Sequence, residues 1–257
     1  MNKTPFIIML AIFLPFTNIN GMITYAHNFN TDDDSSFLTL INMLVIENRL
    51  LNDSISVNNS NSNSSNYIEH IENTENILED ILISEDSFTV NSDQFYNNTV
   101  IALVVANLAD EVLRNYGHAF GVPSNIMLSM NFSNIINSQD KSNDTSNANS
   151  QNNHTMHQEN SPSSSASTPA AATMIDMPSY ISTIELSDRM IQLYSNELNG
   201  TSSESAYINK ANSDLGSAVY ELKKAVESKE SPYEIMEIVH GKVHPNLQLA
   251  FNLTLKR

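Results

Sequence analysis

The 257-residue chain contains no cysteine, and this absence limits both its fold and its chemistry. A disulfide framework and a thiolate metal site are both excluded. With only 6 glycines and 8 prolines, turn signals are few, which disfavours an all-β fold. The fold must therefore be held together by its hydrophobic core.

Positive charge is also scarce. The sequence has 12 lysines and arginines against 29 acidic residues, a formal net charge of −17. Such a chain repels polyanions, so we predict that it binds neither nucleic acid nor an anionic membrane surface.

Motifs that mark catalysis are missing as well. The sequence has no Gly-x-Ser-x-Gly, no His-Glu-x-x-His and no glycine-rich phosphate loop. Nothing positive supports an enzyme, and we predict a non-catalytic protein.

What is present begins with a secretory pattern. One lysine precedes an apolar run from Phe6 to Phe16, and small residues follow at Thr24 and Ala26. Eleven helical residues rise about 16 Å, too little to cross a hydrocarbon core of about 30 Å. We therefore predict a signal peptide over residues 1–26 and a secreted or extracytoplasmic protein, with an uncleaved anchor as the alternative. Nine Asn-x-Ser/Thr acceptors after the signal permit glycosylation, but they barely exceed chance in so asparagine-rich a chain.

A polar segment divides the remainder. Residues 137–173 almost lack large apolar side chains, so they cannot bury enough surface to offset their backbone entropy, and we predict a disordered linker. This linker separates an N-terminal half, 35–136, from a C-terminal half, 174–257.

Helical periodicity dominates both halves. In the N-terminal half, helices are predicted from Ser35, from about Asn66 and from Ile101 to Gly121. The second of these places four apolar residues on one stripe, which we expect to face the core: Ile68, Ile71, Leu78 and Leu82.

In the C-terminal half, one helix should run from Pro178 to Gly200 and another through residues 208–225. A third begins with the capping box at Ser231 and should end at Gly241, with a new helix starting at Pro245. Together these patterns predict an all-α protein, a bundle of about six helices in two clusters separated by the linker. Whether the clusters form one bundle is left open.

The third helix raises the question of a metal site. Glu237, His240 and His244 have ligand-like spacing. The expected break at Gly241 would place the two histidines on different helices, and Glu237 with His240 lacks the second Glu-x-x-His of a di-metal bundle. A histidine stabilised by the helix C-terminus is the simpler interpretation.

Copper is the metal to consider, because imidazole and thioether are the soft ligands left without cysteine. Two Met-x-x-Met pairs flank the linker, Met127 with Met130 and Met174 with Met177. Cleavage after Ala26 would also create an N-terminal histidine, His27, whose amine and ring can hold copper. Ordinary core packing is the alternative for the methionines.

One further histidine, His118, follows Glu111 by two turns, and both residues could border a cleft between helices. The simpler interpretation is a solvated Glu111 and a His118 at the helix end.

Two functions follow. The first is a non-catalytic interaction or structural module with no cofactor and an unidentified protein partner. The alternative is an extracytoplasmic copper-binding protein that uses the histidines and methionines named above.

Overall fold

The computed structural model describes residues 33–58, 64–84, 91–129, 173–201 and 203–254. These residues form helices and short connections, and no strand occurs among them, so the predicted all-α class is confirmed. The predicted signal peptide, His27, Met130 and all but the last residue of the predicted linker lie outside the described residues. No helix in the described part of the chain is long and apolar enough to cross a membrane.

The N-terminal half begins with two helices, α1 (Asp33–Asn58) and α2 (Ser64–Ser84), which pack against each other. Two acidic residues in the first turn of α1, Asp33 and Asp34, complement the positive end of the helix dipole.

Helix α3 (Asn98–Ala119) lies at the centre of the fold. It is buried at 17 of its 22 residues. Neighbouring helices cover it on several sides, as expected for a helix that is apolar almost all round. The predicted stop at Gly121 is confirmed: this glycine has a φ of 71°, a conformation that costs glycine little. The short helix α4 (Ser124–Met127) follows.

The C-terminal half contains α5 (Met177–Leu193), α6 (Ala206–Glu227), α7 (Pro232–Ile238) and α8 (His244–Phe251). A wide π-helical turn, Tyr194–Leu198, extends α5, and a second, Val239–Val243, joins α7 to α8. The predicted cap at Ser231 is present, because its side chain accepts a hydrogen bond from the Glu234 amide.

The expected helix break between His240 and His244 is wrong. The π turn keeps the helix continuous, and the His244 amide donates to the Val239 carbonyl five residues earlier. Pro245 has no amide to donate and falls in the first turn of α8, where that loss is tolerated.

The stripe predicted for α2 is also wrong. Ile68, Leu78 and Leu82 are exposed, whereas Ile77 and His70 are buried on another face of the helix. That face is selected by a polar contact that periodicity does not detect, because His70 Nδ1 lies 2.8 Å from Glu47 Oε2 of α1.

The two halves share one hydrophobic core. Its members come from α1 and α3 on one side and from α5 to α8 on the other. Polar contacts join the halves as well: Tyr116 donates to the carbonyl of Glu230, and Arg49 pairs with Glu185 at 3.2 Å. The question left open by the sequence is therefore answered, because the halves dock as a single bundle.

Candidate functional site

Three potential ligand groups meet where α2, the end of α3 and the start of α5 come together. They are Glu69, His118 and Asp176, and one ligand atom from each lies within 4.8 Å of the other two. Asp176 is the N-cap of α5. It is held beside His118 because the amides of Ile175 and Asp176 both donate to the carbonyl of Ala119, at 2.8 and 3.3 Å.

A hydroxyl group orients this cluster. Ser179 donates to Asp176 Oδ2 at 2.6 Å, and the same carboxylate oxygen lies 2.7 Å from His118 Nδ1. His118 Nδ1 is also 2.9 Å from the Ser179 oxygen. The imidazole is 71% exposed, whereas the Asp176 side chain is 16% exposed. A well-fixed carboxylate therefore faces an imidazole that solvent can reach.

Electrostatics at the cluster favour a cation. Burial raises the pKa of Glu69 above its usual value, and the negative charge of Asp176 raises it further. His118 and His70 oppose this rise, while Glu47 adds to it. A positive ion placed between Glu69 and Asp176 would favour the ionised form of Glu69, which burial and the neighbouring carboxylate disfavour.

A buried polar network lies behind the cluster and fixes α2. Glu47 Oε1 accepts a hydrogen bond from the Ser182 hydroxyl at 2.8 Å. The other carboxylate oxygen, Oε2, lies 2.8 Å from His70 Nδ1. His70 itself is buried, with 2% exposure. Because Ser182 contacts the carboxylate and not the imidazole, the group lacks the serine-to-histidine contact of a nucleophilic triad.

The second histidine cluster lies in the core. His240 and His244, which the π turn places on one helix, have ring centroids 5.4 Å apart. His240 Nε2 lies 3.0 Å from the Met127 carbonyl, and His244 Nε2 lies 3.5 Å from Asp110 Oδ1. Glu237 is exposed, so the structure does not bring the predicted trio of Glu237, His240 and His244 together.

Asp110 is the unusual member of this cluster. Burial raises its pKa to about 8, which the positive charge of Arg114 opposes and the negative charge of Glu111 reinforces. Glu111 is itself buried and lies 3.2 Å from Arg114, so neither the solvated glutamate nor the cleft shared with His118 is found.

The predicted methionine ligands are dispersed among different environments. Met127 is fully buried with its side chain against Gly117, Met174 packs on the core, and Met177 is exposed. Met130 and His27 lie outside the described residues. Among the predicted ligands, only His118 joins the group of three potential ligand residues found in the described part of the chain.

Glu69, Asp176 and Ser179 were not identified from the sequence. One signal was available, since Asp176 directly precedes the Met-Pro pair that opens α5 and therefore occupies a capping position. No local pattern connects it with Glu69, because the two residues lie in different halves of the chain.

Comparison with known proteins gave no relationship: no family model matches the chain, and no curated protein or solved structure matches it significantly.

Proposed function

We propose that this protein is an exported, non-catalytic helical bundle that binds a divalent transition-metal ion through Glu69, His118 and Asp176. The observation that carries the proposal is the convergence of one imidazole and two carboxylates, from three separate elements, within 4.8 Å. Three nitrogen and oxygen ligands with further positions open to water suit Zn²⁺.

This ligand set changes the choice of metal. The sequence suggested copper because thioethers were thought to be available, and Cu⁺ prefers such soft ligands. The cluster instead offers oxygen and imidazole nitrogen. We therefore propose zinc in place of copper, bound reversibly at the surface because His118 is largely exposed.

Calorimetric titration of the purified chain with Zn²⁺ tests the proposal. We expect one equivalent to bind, and we expect His118→Ala and Asp176→Asn each to weaken binding by about tenfold or more, since the loss of even a supporting group costs that much. Glu69→Gln should weaken binding in the same way. Its control is Glu75→Gln, which removes the same charge from an exposed position of α2.

Binding should also raise the melting temperature of the wild-type chain, because an ion that binds only the folded state stabilises it. Equal zinc affinity in the wild type and His118→Ala would overturn the proposal.

A role as an interaction module remains a second proposal. The observation that favours it is the exposed apolar face of α2, formed by Ile68, Leu78 and Leu82 at 50%, 42% and 66% exposure. A tagged chain isolated from its native source should retain a bound protein that is lost when these three residues are changed to serine. The control variant changes two exposed apolar residues elsewhere, Tyr96 and Leu249, at 82% and 41% exposure, and should retain the partner.

A further inference from the structure

A cleft of about 230 Å³ lies between α1 and α5, away from the proposed metal site. We refer to it as the α1–α5 cleft. Its apolar lining comes entirely from α1 and consists of Leu38, Ile41, Val45 and Ile46. The polar lining comes from both helices and consists of Asn42, Arg49, Glu185, Arg189 and Gln192.

Two arginines in one small cleft are notable in a chain with a net charge of −17. Arg49 pairs with Glu185 at 3.2 Å. Arg189 donates through Nε to Asn42 at 2.6 Å and through Nη1 to Gln192 at 3.1 Å, both neutral side chains. The cleft lining therefore has two guanidinium groups and one carboxylate.

Arg189 is held in a fixed orientation. Its two hydrogen bonds fix the plane of the guanidinium group, and they use two of the five N–H donors that an arginine carries. Burial and the positive charge of Arg49 both lower the pKa of Arg189, with Glu197 opposing them. A negatively charged group between the two arginines would relieve their repulsion and accept charge-assisted hydrogen bonds.

We propose that the α1–α5 cleft binds a small amphiphilic carboxylate, a short fatty acid or a molecule of that type. The carboxylate lies between Arg49 and Arg189, and the alkyl chain lies on Leu38, Ile41 and Val45. Size supports a small occupant, because sites for drug-sized ligands have volumes of roughly 300–1,000 Å³. This inference does not depend on the metal site, which uses no residue of the cleft.

Titration with octanoate, 1-octanol and acetate tests both parts of the ligand. We expect octanoate to bind with a dissociation constant of about 1 mM or lower, a reasonable affinity for about ten heavy atoms. Octanol lacks the charge and acetate lacks the chain, so each should bind about tenfold more weakly or worse. If octanol or acetate binds as tightly as octanoate, the proposal is overturned.

Variants locate the site. Arg189→Met and Arg49→Met should each weaken octanoate binding by about tenfold. Lys242→Met removes the same charge from the π turn Val239–Val243, which lies outside the cleft, and it should not weaken binding.

Val45→Asp tests the cleft without disturbing the hydrophobic core, because Val45 lines the cleft and is 54% exposed. It should repel the carboxylate and weaken binding by about tenfold. Ile55→Asp, at a similarly exposed position of α1 outside the cleft, is its matched control and should bind octanoate normally. Unchanged binding in Val45→Asp and in both arginine variants would exclude this cleft.

Discussion

At the scale of single residues, the polar groups inside the bundle are the least expected feature. Asp110, Glu111, His240 and His244 are all buried, although the sequence suggested a solvated Glu111 and a histidine at a helix end. Amphipathic patterns cannot identify such residues, because a buried acid and a solvated acid occupy the same place in the sequence. Burial and contacts determine their chemistry.

Asp110 should make stability depend on pH. Its folded-state pKa of about 8 lies above the ordinary value, so the folded state binds more protons than the unfolded state between these values. Its contribution to stability is therefore present at low pH and is lost as the pH rises towards 8, by about 4 kcal/mol between pH 5 and 8. Asp110→Asn should remove this loss, as measured by urea unfolding at both pH values.

The nearby groups Arg114, Glu111 and His244 remain in Asp110→Asn, so its difference from the wild type reports Asp110 together with its coupling to them. Asp93→Asn, an exposed change, should leave the pH dependence unaltered. Parallel stability curves for the wild type and Asp110→Asn would show that Asp110 is ionised normally.

Gly216 permits a close contact between α6 and the π turn that extends α5. A Cβ atom there would overlap the ring of Tyr194, whose hydroxyl donates to the Asn212 carbonyl at 3.1 Å. Glycine to alanine inside a helix usually stabilises by up to about 1 kcal/mol. We expect Gly216→Ala instead to destabilise by about 1–3 kcal/mol, because the ring must move.

Gly200→Ala is the matched control for Gly216→Ala. No atom lies within 4 Å of its added Cβ, so thermal unfolding should show little change. Equal melting temperatures for the two variants would mean that Tyr194 moves aside without cost.

At the scale of elements, the sequence predicted where helices begin better than which way they face. The predicted cap at Ser231 is local chemistry, and its side chain accepts a hydrogen bond from the Glu234 amide in the first turn. The break at Gly241 was predicted from equally local signals, and it is wrong. Gly241 lies inside a π turn and does not adopt the left-handed conformation that would end the helix. The predicted orientation of α2 is wrong because a buried contact joins His70 of α2 to Glu47 of α1.

A pair of neighbouring substitutions on α2 tests its orientation. Ile77 is 6% exposed and Leu78 is 42% exposed. Ile77→Ala should destabilise the protein by about 2–4 kcal/mol, as truncation of a core residue does, and Leu78→Ala by less than about 1 kcal/mol. Guanidinium unfolding measures the change in unfolding free energy for both variants. A larger loss in Leu78→Ala than in Ile77→Ala would mean that the stripe predicted from the sequence faces the core.

At the scale of the whole molecule, the class of fold was predictable and the arrangement of the halves was not. Periodicity and the scarcity of turn residues indicate helices, but they do not say which helices meet. Helices α3 and α5 contact each other although the predicted linker separates them in the sequence. The candidate metal site lies where these two helices meet. Only His118 was identified in advance, because imidazole is an obvious ligand whereas Glu69 and Asp176 resemble the many other acids.

Cleavage of the chain between the halves tests the shared core. A specific protease site inserted within residues 137–173 should, after cutting, give two fragments that co-elute in gel filtration, because the core that joins them is apolar and extensive. The intact chain with the same insertion is the control. Separation of the fragments under native conditions would show that the interface is weak.

The central position of α3 has a consequence for biosynthesis. This helix is synthesised before α5 and α8, which are among the helices that cover it. Its contacts therefore span long separations in the sequence, which delays folding during translation. The nascent polypeptide should remain uncompacted, with the apolar surface of α3 exposed to chaperones, until α5 to α8 have left the ribosome.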